Sequence, residues 1–359
     1  MFTVKTIVFT GGHHTSALVL AKALRRQGHK IIWLGHKYSM RKVENPSLEF
    51  QEVRRTGIPF VELKTGKIHQ AGVVDWLGLI RGFFRALSLL RRYRPALIVS
   101  FGGYLAVPVV VAGWWLGIPS VTHEQTVTAG MANRFLRHFV KKIFLTWPES
   151  GRFFPADKSL VVGLPLRPEI LKPTRQSQLS RQKPLVLITG GKQGSWAINQ
   201  VVFQALPTLL AKFQILHQTG RTSTTGDWQK AQALRRNLPA SERDSYRPVA
   251  YLTDEEMAAA LHQAACVVGR SGAHTVYEIL LLGKPAVLVP LPFSFAREQH
   301  TNAQKAVVAG LAQVVEQTDL TPERLVEAVQ SKAAESGRKQ SLPLDATEAM
   351  VRAILPLLN

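Results

Sequence analysis

Cysteine is almost absent from this chain of 359 residues, with Cys266 standing alone. No disulfide framework can form, and a reducing cytosol fits a chain built this way. Acidic residues are scarce too, 24 against 45 Lys and Arg, which leaves a formal net charge of +21. No run of about 20 apolar residues occurs, which excludes a membrane-spanning helix of ordinary length. The opening MFTVKTIVFTGG is strand-like and too short for a signal peptide, so the expected compartment is the cytoplasm. Zinc-ligand spacing, a helix-turn-helix signature and an aromatic RNA-binding motif are all missing, which disfavours nucleic acid as the partner of the positive charge. What is present is a hydrophobic fraction of 46%, ample for burial, in a length beyond what one core usually serves. Two domains are the default.

The charge is uneven: residues 1–165 hold about 23 Lys and Arg against about 8 Asp and Glu. A half of this kind attracts nucleic acid, an anionic membrane or a phosphorylated substrate alike, and the apolar residues decide among them. Trp76 to Arg94, WLGLIRGFFRALSLLRRYR, has a helical pattern in which aromatics and Leu are interrupted by Arg81, Arg85, Arg91, Arg92 and Arg94. It is too short and too charged to span a bilayer but suits a helix lying in a membrane interface and attracting anionic lipid. Trp114-Trp115 on a following helix adds to that reading. The alternative is a core-packing helix whose arginines are simply exposed.

Strand and helix patterns alternate throughout, the signature of doubly wound parallel sheets. In the first half strands are expected at Lys5 to Phe9, Lys30 to Leu34, Phe60 to Leu63, Ala96 to Phe101, Ser120 to His123 and Ile143 to Leu145. Three loops follow strands: Thr10-Gly11-Gly12-His13-His14, Phe101-Gly102-Gly103-Tyr104 and His123-Glu124-Gln125. Each alone also reads as tight packing or capping; their convergence at the carboxyl edge, where such sheets bind ligands, carries more weight. Gly163 to Pro184 is Pro-, Arg- and Gln-rich and reads as a linker. Beyond it strands are expected at Leu185 to Thr189, Phe213 to His217 and Val249 to Leu252, with another Gly-rich turn at Gly190 to Gly194, and two closing helices at Thr321 to Ala334 and about Leu344 to Leu358.

The second half is organised around Cys266 to Ala303, a strand, helix, strand, helix unit. Ser271, Thr275 and Glu278 fall on one face of its first helix, while Val276, Ile279 and Leu280 point elsewhere. Free N–H groups beside Gly272 suit a diphosphate, and Glu278, two turns on, can accept from a ribose diol. An ordinary capped helix with a solvated Glu278 is the alternative.

Seven motifs in order resemble the MurG-like family of nucleotide-sugar glycosyltransferases: Thr10 to His13, Gly102 to Tyr104 after Phe101, His123-Glu124-Gln125 with Ala129-Gly130 and Asn133, Gly163 to Arg167, Gly190 to Gly194 with Asn199, Arg270 to Glu278, and Arg297 to Ala303. The resemblance implies an α/β fold of GT-B type, two doubly wound Rossmann-like domains facing across a cleft. Residues 1–165 would form an acceptor- and membrane-binding domain, 166–343 a nucleotide-sugar-binding domain, and 344–359 a helix returning to the first. The reaction implied is an inverting transfer of N-acetylglucosamine from its UDP carrier to undecaprenyl-pyrophosphoryl-N-acetylmuramyl-pentapeptide in peptidoglycan synthesis, at the cytoplasmic membrane face. Its partners would be a UDP-sugar donor, a polyprenyl-pyrophosphate-linked acceptor and the anionic inner membrane surface.

Residue by residue, the resemblance puts backbone near Leu252 on uracil with Arg270 beside it, Ser271, Gly272, Ala273, His274 and Thr275 on the diphosphate, Glu278 on the ribose and Gln299 on the sugar. Arg167 would approach the diphosphate, and Thr10, Gly11, Gly12, Gly102, Gly103 and Tyr104 would cradle the acceptor pyrophosphate. His13 is the candidate base because imidazole titrates near neutrality, with Glu124 as substitute; a structural histidine stays open. No metal is expected: helix dipoles and Arg167 would meet the leaving-group charge, and no Asp-X-Asp pair occurs. The chain departs from the family pattern at Phe9, Ser16, Leu164, Thr126, Lys192 and Glu298. Thr126 and Glu298 lie where the donor sugar would be read, and Lys192 can strengthen diphosphate binding as a point charge. A related transferase with a different lipid acceptor, and a non-catalytic membrane-bound homologue, are the competing readings.

Overall fold

The computed structural model describes residues 3–38, 46–66, 76–172, 183–220 and 225–358. They form two compact units, one of Met1–Leu166 with Pro343–Asn359 and one of Arg167–Leu342.

In the first unit β1 (Thr6–Thr10), β2 (Lys30–Gly35), β3 (Phe60–Glu62), β4 (Leu97–Ser100), β5 (Ser120–Glu124), β6 (Lys142–Leu145) and β7 (Ser159–Val161) make one parallel sheet, in the order β3-β2-β1-β4-β5-β6-β7. The helices are α1 (His14–Arg26), α2 (Leu48–Arg55), α3 (Trp76–Tyr93), α4 (Ala106–Trp115) and α5 (Met131–Leu136). Successive strand residues point to opposite faces, so continuous apolar strands feed two cores. Ile7, Phe9, Trp33 and Val99 meet Leu20 and Leu24 of α1 and Met350 and Ile354 of the C-terminal helix Ala346–Ile354. Val8, Ile98 and Ile143 meet Leu87 and Leu90 of α3 and Val109 and Val110 of α4.

The second unit begins with α6 (Pro168–Leu171) and holds β8 (Leu185–Thr189), α7 (Trp196–Lys212), β9 (Gln214–Gln218), α8 (Asp227–Asn237), α9 (Ala240–Arg243), β10 (Tyr246–Val249), α10 (Asp254–Gln263), β11 (Cys266–Gly269), α11 (Ala273–Leu282), β12 (Ala286–Leu288), α12 (Glu298–Val308), β13 (Ala312–Val314) and α13 (Pro322–Ala333). Its parallel sheet runs β10-β9-β8-β11-β12-β13. One face packs Val186, Ile188, Val268 and Val287 against Leu206 and Leu210 of α7 and Leu325 and Val329 of α13.

Strand order reverses between β1 and β4 in one sheet and between β8 and β11 in the other. Such switch points leave a crevice at the carboxyl edge, and each receives two of the Gly-rich turns. The expected strand Val249 to Leu252 lies earlier, at Tyr246–Val249, because Leu252 turns into the capping box of Thr253 and Glu256 that starts α10. Elements outside the sequence reading include α2, β7 and β13. The first buries only Val53, the second exposes Leu160 and Val161, and the third has three residues, so none has a strong apolar period. Within the expected linker, Gly163 to Leu166 is buried and Ile170 anchors α6, while residues 173–182 lie outside the described residues.

Candidate functional site

At the first switch point the two glycine loops meet backbone to backbone. Gly12 N–H donates to Gly102 O at 3.0 Å. Gly11 has φ 137, and a Cβ there would lie 2.6 Å from Phe101 N. A side chain at this position would force the loops apart. Helix α1 starts directly after, with His13 as N-cap, no side-chain capping bond and no acid in its first turn. A helix start of this kind suits an anion. Thr10 Oγ1 is buried there without a partner. Gly102 N–H donates to Ser100 Oγ at 3.1 Å, and Gly103 approaches Gly12. Half-buried Tyr104 follows; burial, and then Glu49, push its phenol up to about 12, so it acts as a neutral donor. Burial also raises Glu49 to about 7 against its bond from Trp33 Nε1.

Glu124, at the end of β5, is buried and accepts four hydrogen bonds: from Thr126 N and Oγ1 at 2.9 and 2.7 Å, Gly130 N at 2.9 Å and Asn133 Nδ2 at 2.9 Å. A carboxylate so fully coordinated holds the loop after β5. The hydroxyl and amide of Thr126 both donate to Glu124 Oε1. His123 is a structural residue, its Nε2 within 3.2 Å of Gly163 O, and burial holds its imidazole down at about 4. His13 is the half-buried exception: Gln125 Nε2 lies 2.6 Å from its Nδ1. Burial lowers its pKa, Glu124 opposes that and His14 adds to it, so the ring is neutral near pH 7.

At the second switch point Ser271 is fully buried with its Oγ unpartnered. Gly272 is the N-cap of α11, which has neither a side-chain cap nor an acid in its first turn, and the space around a Cβ on Gly272 is open. Ala273, His274 and Thr275 form that first turn, with His274 and Thr275 half-buried. A buried hydroxyl without a partner beside a helix start that has no side-chain cap suits an anion.

The charged residues nearby are tied into the protein. Arg270, expected beside the base, donates to Val289 O, Pro290 O, Ser195 Oγ at 2.8 Å and Gln317 Oε1 at 2.6 Å. It braces the turns after β8 and β12 around the β11 turn. Arg167, expected on the diphosphate, instead spans Asp254 and Glu278, both at 2.8 Å. Burial works against that guanidinium, and the two carboxylates more than restore it. Glu278 is therefore aimed by Arg167 and is only 4% exposed. The Leu252 N–H goes to Gln218 Oε1 at 2.9 Å, so that half of its backbone pair is engaged internally. Gln299 Oε1 accepts from Leu291 N at 3.0 Å. Glu298 and Lys192 are half-buried, Glu298 opening α12 after the left-handed Ala296 and Arg297.

Away from these turns α3 presents Leu77, Ile80 and Phe84, 70%, 52% and 62% exposed, on one stripe beside exposed Arg81 and Arg85. Helix α4, packed on α3, adds exposed Trp114 and Trp115, the first edge-on to Phe139. Among the described residues no helix is long and apolar enough to cross a membrane.

Comparison with known proteins agrees with this arrangement. The Glycosyltransferase family 28 N-terminal domain matches residues 6–145 and the family 28 C-terminal domain residues 185–353. The chain belongs to glycosyltransferase family 28. Its family 28 relatives include the UDP-N-acetylglucosamine--N-acetylmuramyl-(pentapeptide) pyrophosphoryl-undecaprenol N-acetylglucosamine transferase 2 of Bacillus cereus, 32% identical over 340 residues with 91% of each chain covered. The transferase of the same description from Desulfitobacterium hafniense is 34% identical over 340 residues, covering 89% of this chain and 87% of that one. The crystal structure of Acinetobacter baumannii MurG superposes with a TM-score of 0.70 at 27% identity, over 98% of this chain and 99% of that one. A UDP-GlcNAc 2-epimerase from Methanocaldococcus jannaschii shares the fold alone, with a TM-score of 0.64 at 14% identity, over 98% and 99% of the two chains. The architecture of this family 28 chain is therefore GT-B.

Three polar residues of the family 28 site had no role in the sequence reading. Asn302, buried on α12, donates to Ser271 O at 3.3 Å and ties that helix to the β11 turn. Its signal was an Asn among the apolar positions Ala303 and Ala306. Gln218 links Thr189 Oγ1, Gly191 O and Leu252 N, and Asp254 holds Arg167; these partners are distant in sequence and left no local pattern.

Proposed function

We propose that the chain transfers N-acetylglucosamine from UDP-N-acetylglucosamine to undecaprenyl-pyrophosphoryl-N-acetylmuramyl-pentapeptide, with inversion at the anomeric carbon. The observation that carries this reading is the β11–α11 turn, where the Ser271 hydroxyl without a partner lies beside the start of α11, which has no side-chain cap, with Glu278 two turns behind, in a chain about a third identical to transferases of that description.

Ser271 Oγ and the N–H groups of Gly272 to Thr275 bind the diphosphate and take up the charge that develops on departing UDP. Glu278, aimed by Arg167, receives the ribose diol, and Gln299 meets the sugar. The paired glycine loops and α1 hold the acceptor pyrophosphate, and His13, neutral near pH 7, removes the proton from the attacking hydroxyl. Helix dipoles suffice for the leaving group, so the reaction proceeds with no metal. Leu77, Ile80, Phe84, Trp114 and Trp115 with Arg81 and Arg85 seat the protein peripherally on the anionic cytoplasmic face of the membrane, where the lipid acceptor resides.

Competitive titration of UDP-N-acetylglucosamine against other UDP-sugars tests the donor assignment. Preference for the N-acetylglucosamine carrier by about tenfold or more is expected, and equal binding of all UDP-sugars rejects it. Co-sedimentation with anionic but not neutral vesicles, lost on Phe84→Ser with Trp115→Ser, tests the membrane face.

A further inference from the structure

The environment of His13 contains an unexplained atom. Gln125 is 5% exposed and its Nε2 lies 2.6 Å from His13 Nδ1, while its Oε1 is buried with no hydrogen-bond partner. An unpaired buried acceptor is unfavourable and calls for a reason. The oxygen and nitrogen of a glutamine amide have nearly the same shape, so a half-turn about the last side-chain bond keeps the contact with His13 and reverses its sense. The two orientations select different tautomers. With the amide donating to Nδ1, the ring proton sits on Nε2 and that atom cannot act as a base. With Oε1 accepting from Nδ1–H, Nε2 carries the lone pair.

We infer that Gln125 is a positioning residue that fixes the catalytic tautomer of His13, its carbonyl oxygen accepting from Nδ1–H so that Nε2 is the base. This rests on the transferase reading, and deepens it. As the acceptor oxygen bonds to the anomeric carbon, its proton passes to Nε2. The bond from that carbon to the β-phosphate oxygen breaks, and its electron pair leaves with UDP. The imidazolium keeps Nδ1–H on Gln125 and releases the Nε2 proton to water.

A neutral amide in this place has a further effect. The groups facing His13 are Glu124 and His123 of β5, and His14 of α1, itself 3.1 Å from Glu52 of α2. Of these only Glu124 favours a charged ring, and its four hydrogen bonds fix it in place. Gln125 orients His13 without adding a second carboxylate, so the base stays neutral and ready near pH 7.

The test uses the full chain with isotope-labelled histidine nitrogens observed by NMR, together with steady-state kinetics. In the wild-type protein His13 Nδ1 is expected to be the protonated, pyrrole-type nitrogen and Nε2 the pyridine-type one. Gln125→Leu mixes the tautomers, lowers kcat about 10- to 100-fold and leaves both KM values within about twofold. Gln125→Glu can only accept, so it keeps the tautomer, recovers activity at alkaline pH and moves the acid limb of kcat/KM up by about one pH unit. A glutamine that merely packs would change Tm and leave tautomer and acid limb unmoved. The inference is overturned if wild-type His13 carries its proton on Nε2, or if Gln125→Glu leaves the acid limb in place. Should no sugar be transferred at all, the transferase reading fails, and the tautomer of wild type against Gln125→Leu still decides the positioning role by itself.

Discussion

The two switch points are built on one plan: each leaves a buried hydroxyl without a partner, Thr10 Oγ1 in the first and Ser271 Oγ in the second, and they differ in what surrounds it. In the first unit the polar groups beside the glycine loops are engaged with one another: Glu124 takes four donors, Asn133 bridges to it, and Gly12 N–H meets Gly102 O. In the second unit the charged groups are engaged as braces while a hydroxyl at the centre, Ser271 Oγ, is left without a partner. The difference teaches that charge next to a binding turn need not be directed at the ligand. Arg167 holds Glu278 and Arg270 holds the turns after β8, β12 and β13, while the group left without a partner at the β11 turn is a neutral hydroxyl, Ser271 Oγ. A preorganised array of this kind needs no reorganisation when the leaving group becomes charged.

The comparison can be broken in order of effect. Glu278→Ala leaves Arg167 buried with half of its counter-charge, and about 3 kcal/mol of stability is expected to go, with donor binding lost as well. A combined Glu278→Leu and Arg167→Met variant should regain the melting temperature but not the donor, which separates bracing from binding in one thermal-shift series. Gly11→Ala forces a side chain onto the Phe101 backbone at a φ that side chains avoid, at a cost of about 1–3 kcal/mol. Acceptor KM should rise while donor affinity holds, which competition calorimetry can read.

Acid is the next lever. His123 and His217 are held neutral by burial, at about 4 and about 3. The unfolded chain takes up these protons first, so the stability they contribute is full above pH 6.5 and is lost as pH falls toward 4. Glu49, raised to about 7, works the other way, its contribution being full at low pH and lost as pH rises through 7. Denaturant midpoints from pH 4 to pH 8 should therefore rise to a plateau near neutrality, and His123→Gln should flatten the acid side. The smallest change in stability is expected for Ser271→Ala. It breaks no bond of its hydroxyl in the ligand-free protein, so the melting temperature should hold within about 0.5 kcal/mol while donor affinity falls about tenfold. A Ser271→Ala protein that melts early would mean the hydroxyl has a structural duty and the contrast between the switch points is false.

Much of this architecture was legible in the sequence because alternating apolar strands and Gly-rich turns are local signals. Leu185 to Thr189 was placed at its observed bounds, and the strand, turn and helix from Cys266 through Leu282 were set by period alone. The strand given as Val249 to Leu252 was set too late because apolar Leu252 lies beyond the strand, where Thr253 starts the next helix. The site divides the same way. Ser271, Glu278 and the paired glycines could be singled out by helical phase and turn chemistry. The engagement of Arg167 with Asp254, of Arg270 with Gln317, or of Glu124 with four loop donors could not, because each joins groups that sequence spacing does not bring together. Hydrogen-bond economy is a property of the folded loops.

The central claim is sugar transfer to a lipid-linked acceptor that depends on both Ser271 and His13. Its most direct test is to incubate the folded chain with UDP-N-acetylglucosamine and a polyprenyl-pyrophosphoryl-N-acetylmuramyl-pentapeptide, without added metal, and to weigh the lipid product by mass spectrometry. A gain of one N-acetylhexosamine, abolished by His13→Ala and slowed about tenfold by Ser271→Ala, is the predicted result. A folded, UDP-binding protein that leaves this acceptor unchanged, or modifies it equally well without His13, contradicts the account.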